Sequence, residues 1–146
     1  EMDLTIRSSH KIITAMSDNW SHDKNKSILF TSSLLGKFIS NTQDLPYHIG
    51  RAAIEQMAKY YAVNLGPKGI RVNIISPYIY VKEETEGQFR NNPAYDSLVN
   101  STPLKTIQHA NDIANLVEYL CSTKASIITG NNFILDGGYS LTLEKC

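Results

Sequence analysis

Apolar residues recur along this chain in two alternating rhythms, one of helical period and one of short continuous runs. Ile12, Ile13, Met16 and Trp20 fall at helical spacing and stop at the polar run Ser21-His22-Asp23-Lys24-Asn25-Lys26, which predicts an opening helix and a loop. Ser27-Ile28-Leu29-Phe30-Thr31 is short and apolar, as suits a strand buried on both faces. A second helix is predicted over about residues 47–65, with Ile54, Met57, Ala58, Tyr61 and Leu65 as its core stripe. Gly66-Pro67-Lys68-Gly69 supplies its stop.

Residues 70–75 read as a second buried strand, closed by Ser76-Pro77. Residues 81–101 are polar and irregular, with short helical pieces at most, and have the character of a lid or binding segment. Ile113, Leu116, Val117 and Leu120 define a third helix begun near Asn111. Asn132-Phe133-Ile134-Leu135 is a third strand, broken by Gly137-Gly138. The order helix, strand, helix, strand, helix, strand calls for parallel strands joined by right-handed crossovers, an α/β fold.

Three buried parallel strands are too few to cover both faces and both edges of a sheet. The first strand would offer an open, apolar ladder edge, which invites pairing. The 146 residues have room for a single domain and read as the second half of something larger.

Charge and composition narrow the function classes. Lys+Arg and Asp+Glu balance at 14 each, and no basic run stands out, which argues against nucleic acid or an acidic membrane surface as the partner. The apolar runs are too short to cross a bilayer, and the first residues resemble no signal or transit peptide. Cys121 sits in an apolar helical pattern and is expected as a small core residue, while Cys146 is the last residue. Neither has metal-ligand spacing, so a reducing, cytoplasmic setting is expected. The four histidines give no metal set: His10, His22 and His109 lie in separate polar contexts, and His48 is expected at the surface or an interface.

The candidate chemistry lies at the start of the second helix. Ser33, in Thr31-Ser32-Ser33-Leu34-Leu35-Gly36, precedes Tyr47-His48-Ile49-Gly50-Arg51. This layout resembles the Ser and Tyr-x-x-x-Lys signature of the short-chain dehydrogenase/reductase family, with Arg51 in the Lys position. Gly69-Ile70-Arg71-Val72-Asn73-Ile74-Ile75-Ser76-Pro77 looks like the family's strand leading into a Pro-Gly loop beside the nicotinamide. The segment from Ile128-Thr129-Gly130 through Asp136-Gly137-Gly138 looks like its closing strand. The four segments occur in family order over nearly the whole chain. The resemblance implies a Rossmann-like doubly wound parallel sheet of which residues 1–146 form the C-terminal half, about three strands with flanking helices. The glycine-rich dinucleotide fingerprint belongs to the other half, and no G-x-G pattern is present here.

The resemblance also implies roles. With NAD or NADP the complete unit would interconvert a small-molecule carbonyl and an alcohol. Tyr47 would be acid/base, Ser33 would orient the substrate, and Arg51 would position the cofactor. A phenol titrates at about pH 10 unaided, so such work near neutrality needs a fixed positive charge close by. Positions i and i+4 of one helix provide it. Arg keeps the charge but brings a planar fork where the family has a compact ammonium. If the site is a weakened version of the family's, Arg51→Lys should raise activity or cofactor affinity. Lys59 is no substitute, lying about 18 Å further along the helix axis.

Other positions depart from the family pattern. Met2-Asp3-Leu4 looks like a segment in which an Asn holds a relay water, putting Asp3 there; an ordinary acidic residue in a first helical turn is the alternative. Pro77-Tyr78 replaces Pro-Gly, Tyr80 would line the same site, and Lys82 falls where a Thr commonly contacts the cofactor. Pro77, Tyr78 and Tyr80 are therefore candidate cofactor contacts. They would reshape the pocket or crowd the cofactor out, unless both tyrosines merely pack at a strand end. Asp136 reads as strand-end turn chemistry, with a subunit contact possible by analogy. A homo-oligomer built on the two long helices is expected. Two rivals share the fold: a silent subunit that binds an active partner, and a non-redox isomerase or dehydratase.

Overall fold

A computed structural model describes residues 3–17, 20, 25–82, 84 and 86–145. The side chain of Asp3, together with His22 and Cys146, lies outside the described residues. In chain order the elements are α1 (Ser8–Ser17), β1 (Lys26–Thr31), α2 (Leu45–Leu65), β2 (Ile70–Pro77), β3 (Tyr80–Val81), α3 (Glu86–Arg90), α4 (Ala94–Ser101), β4 (Gln108–His109), α5 (Ala110–Cys121) and β5 (Asn132–Leu135).

The main sheet is parallel, in the order β1-β2-β5. Lys26 pairs with Ile70 and Thr31 with Ile75 on one side of β2; Ile74 pairs with Asn132 and Pro77 with Leu135 on the other. Strand alternation then splits the apolar residues between two layers. Phe30, Ile70, Val72 and Ile74 pack with Ile13, Ile54, Ala58, Tyr61 and Leu65 of α1 and α2. Ile75 faces the opposite layer, with Leu120 and Ala125, against which Leu29, Ile113, Leu116, Phe133 and Leu135 are packed. Helices cover both faces, which makes this a doubly wound Rossmann-like sheet. Every position of β2 is buried, whereas β1 is only half-buried over most of its length and forms an edge.

Two polar residues survive inside β2 because each is satisfied by backbone. Arg71 donates from Nη1 to the Leu120 carbonyl (2.7 Å) and from Nη2 to the Ser122 carbonyl (3.3 Å), setting its charge on the open carbonyls at the end of α5. Asn73, fully buried, donates to the Ile128 carbonyl (2.8 Å) and accepts from the Asn131 N–H (3.1 Å), which fixes the turn into β5.

The sequence pattern needs correction in several places. The opening helix stops at Ser17, short of Trp20, and buries only Ile13 of its expected stripe; Ile12 and Met16 are exposed. Helix α2 begins at Leu45, because Asp44 caps it and Pro46 occupies its first turn. Strand β2 runs on to Pro77, and α5 starts at Ala110. Cys121 is exposed, since it closes α5 on the side away from Leu120. The polar segment after Val81 holds two short helices, α3 and α4, as the pattern allowed. A two-residue parallel ladder between β3 and β4 had no signal in the pattern, being shorter than any period can register. No helix among the described residues is long and apolar enough to cross a membrane.

Candidate active site

Strand β1 delivers Ser32 and Ser33 to its carboxyl end, where the Ser32 N–H donates to the Ile75 carbonyl (2.8 Å) and continues the ladder. Ser33 is buried and extended, at φ −157° and ψ 157°, and caps a single 3-10 turn, Leu34–Gly36. Its Oγ accepts from the Leu35 N–H at 3.2 Å. That turn lies against the first turns of α2. Ser32 Oγ donates to the Arg51 carbonyl at 3.0 Å. A Cβ on Gly36 would come 3.1 Å from the backbone carbon of Arg51 and 2.6 Å from Glu55 Oε1, so any side chain here would press on α2.

Tyr47 sits in the first turn of α2, its N–H held by Asp44 Oδ1 at 3.2 Å. One turn on, the guanidinium carbon of Arg51 lies 4.7 Å from the Tyr47 ring centroid, within cation–π range. Arg51 Nη1 donates to the Thr31 carbonyl at 3.2 Å, tying the group to the end of β1, and Nε is buried with no partner among the described residues. Ser76 Oγ, at the end of β2, is likewise buried without a partner among them. Ser33, Tyr47, Arg51 and Ser76 therefore gather at the carboxyl ends of β1 and β2, the side on which open α/β sheets bind ligands.

His48 departs from expectation. It is 7% exposed, not at the surface. Nδ1 lies 2.9 Å from the Leu35 carbonyl and Nε2 lies 3.0 Å from the Ser40 carbonyl. Those two carbonyls hold its pKa above the ordinary value, and Asp44 adds to the effect while burial opposes it. Helical phase alone put His48 away from Tyr47; it missed that the chain between β1 and α2 folds back over that face. The signals that could have found this loop are Gly36, which permits close approach, and the Asp44–Pro46 helix start.

Past Pro77, Tyr78 stacks on Tyr139, with centroids 4.5 Å apart and planes at 8°. Burial pushes its phenol above the usual range, and the hydroxyl of Tyr139 adds to this. Tyr80 is 40% exposed, and Pro77 is buried. Asp136 has a turn role: its carboxylate accepts from the N–H groups of Gly138 and Ser140, both at 2.8 Å. A cavity of about 360 Å³ between α3, α4, Ile79 and Tyr139 is lined by Phe89, Tyr95 and Leu98, with no charged residue among the described residues of its wall. No group of three or more His, Cys, Asp or Glu among the described residues could hold a metal ion.

The family model described as Enoyl-(Acyl carrier protein) reductase matches residues 1–140. The chain belongs to the short-chain dehydrogenase/reductase family. It is 33% identical over 116 residues to an A-factor type gamma-butyrolactone 1'-reductase (1S-forming) of Streptomyces virginiae, covering 79% of this chain and 45% of that protein. A tropinone reductase homolog of Datura stramonium is 32% identical over 120 residues, covering 80% of this chain and 44% of the relative. Among solved structures, 4-hydroxyisoleucine dehydrogenase complexed with NADH superposes with a TM-score of 0.82 at 28% identity, over 96% of this chain and 58% of that one. A 3-oxoacyl-[acyl-carrier protein] reductase with bound NAD from Brucella melitensis gives 0.79 at 26%, over 94% and 50%. The chain spans about half the length of the relatives it matches.

Proposed function

We propose that this chain is the C-terminal half of a short-chain oxidoreductase unit that interconverts a small-molecule carbonyl and an alcohol with NAD or NADP. The relation between Arg51 and Tyr47 carries the reading. A guanidinium fixed against the ring of Tyr47 sets a positive charge beside the phenol that would transfer the proton. Ser33, at the end of β1, orients the carbonyl oxygen that Tyr47 protonates. Asp3 is a candidate relay residue.

The residues present fit a nicotinamide dinucleotide. Arg51 Nε, a buried donor with no partner among the described residues, and Ser76 Oγ, a second such group at the end of β2, are the polar atoms that a sugar hydroxyl would satisfy. Arg51 and Tyr47 would hold the ribose side, with Pro77, Tyr78 and Tyr80 along the ring side. When bound, the nicotinamide supplies or accepts the hydride. This chain's own part is to hold the substrate oxygen at Ser33 and to give or take the proton at the Tyr47 hydroxyl. The half-buried edge strand β1 supports the two-half reading, since a further parallel strand would cover its open ladder.

One observation favours the silent-subunit reading. Tyr78 puts an aromatic ring, stacked on Tyr139, where the family has glycine and the nicotinamide passes close to backbone. Titrating the full-length protein with NADH and NADPH, followed by fluorescence, separates the readings. Binding, with turnover of at least one member of a carbonyl panel that Tyr47→Phe abolishes, is the expected result. Absence of binding would sink the oxidoreductase reading in favour of the silent subunit. Binding without turnover would leave the silent subunit or a non-redox enzyme.

A further inference from the structure

Leu35 joins two side chains that chemistry would otherwise keep apart. Its N–H donates to Ser33 Oγ at 3.2 Å, and its carbonyl lies 2.9 Å from His48 Nδ1. The other ring nitrogen, Nε2, is 3.0 Å from the carbonyl of Ser40, at the far end of the same loop. A carbonyl has no hydrogen to give, so both contacts are hydrogen bonds only if both ring nitrogens carry one. Neutral imidazole has a single N–H; imidazolium has two. Loss of the proton would set a bare nitrogen lone pair against a carbonyl oxygen inside a group that is almost entirely buried.

We propose that His48, as the imidazolium, is a positioning residue for Ser33. It staples both ends of the loop between β1 and α2, and through Leu35 it holds the Ser33 hydroxyl in the register facing the start of α2. The idea rests on the reading of Ser33 and Tyr47 as the reacting pair.

The charged and aromatic surroundings agree with a cation at this position. Asp44, which caps α2, favours the charged ring. Tyr47 meets the imidazole edge to face, with centroids 6.3 Å apart. Lys37 on the loop and Arg51, one turn on from His48's neighbour Tyr47, are each directed elsewhere. Lys37 Nζ is over the ring of Phe38 at 5.7 Å, and Arg51 is over Tyr47 with Nη1 on Thr31. The ring is therefore tied at both ends by acceptors, with an acidic group on its own helix cap.

The test is amide hydrogen exchange on the full-length protein, corrected for the intrinsic rate, across the pH range in which an imidazole titrates. Protection of the Leu35 N–H is expected to fall about tenfold as His48 loses its proton, the equivalent of one lost hydrogen bond. The same step should be absent in His48→Gln, which has no proton to lose there. Ring nitrogen NMR of the wild-type protein at mildly acid pH gives a second readout that needs no variant to fold. Two protonated nitrogens support the proposal; one bare nitrogen overturns it, as does pH-independent Leu35 protection. With phenanthrenequinone as carbonyl probe, kcat/KM for the wild type should bend downward at the His48 pKa, and the bend should be lost in His48→Gln. A bend that persists in the variant overturns the link to catalysis. Failure of any carbonyl to turn over would instead strike the reading of Ser33 and Tyr47, while exchange still judges the staple.

Discussion

The guanidinium of Arg51 covers the ring of Tyr47, 4.7 Å from its centroid, and is steered there by the carbonyl of Thr31. Two groups one helical turn apart are thereby locked to the end of β1. A lysine in the same place would carry the charge without the planar face or the second directed donor.

A weakened family site would gain from Arg51→Lys, whereas this geometry predicts a loss. Losing the stacked guanidinium and its bond to Thr31 should lower turnover about tenfold, the sum of a weak cation–π contact and one hydrogen bond. Steady-state kinetics on any carbonyl found in the panel checks it. Equal or higher activity would mean that the charge alone matters.

Gly36→Ala tests the contact that brings the Ser33 turn onto α2. Glu55 can swing aside, but the Arg51 backbone carbon at 3.1 Å cannot. The expected cost is about 1–3 kcal/mol, read as a lower midpoint in urea unfolding. A midpoint within error of the wild type would show that the turn can shift without loss.

Stability should depend on pH through His48. A pKa raised by folding means that the stabilising contribution is complete below the ordinary value of 6.5 and is lost as pH rises through the folded-state value. The urea midpoint of the wild type should therefore fall by more than that of His48→Gln between about pH 6 and about pH 9. Parallel curves would remove the staple from the stability of the fold.

Helix α2 leaves Tyr60 at 60% and Val63 at 75% exposure, on the side away from the sheet. If subunits associate through the long helices, Val63→Glu combined with Tyr60→Ser should shift the full-length protein to a smaller species in sedimentation analysis. An unchanged mass would assign association to another surface or to none. The double change lies far from the loop at His48 and should leave the fold intact.

Apolar rhythm determined the alternation of helices and strands, the parallel sheet and the core stripe of α2 at Ile54, Met57, Ala58, Tyr61 and Leu65, while the Ser33–Tyr47–Arg51 spacing was legible as a resemblance to a family signature. Those features are local, because period and burial are written into neighbouring residues. Boundaries set by caps, such as Asp44 before α2, were legible only in part. The surroundings of each candidate residue were decided by tertiary structure. Tyr78 met Tyr139 through the return of the chain after β5, and Cys121 turned outward because Leu120 took the inward position. His48, which helical phase assigned to the surface or an interface, was buried by a loop that Gly36 lets approach α2. Contacts between residues distant in sequence depend on how two backbones pack, and no single periodicity encodes that distance.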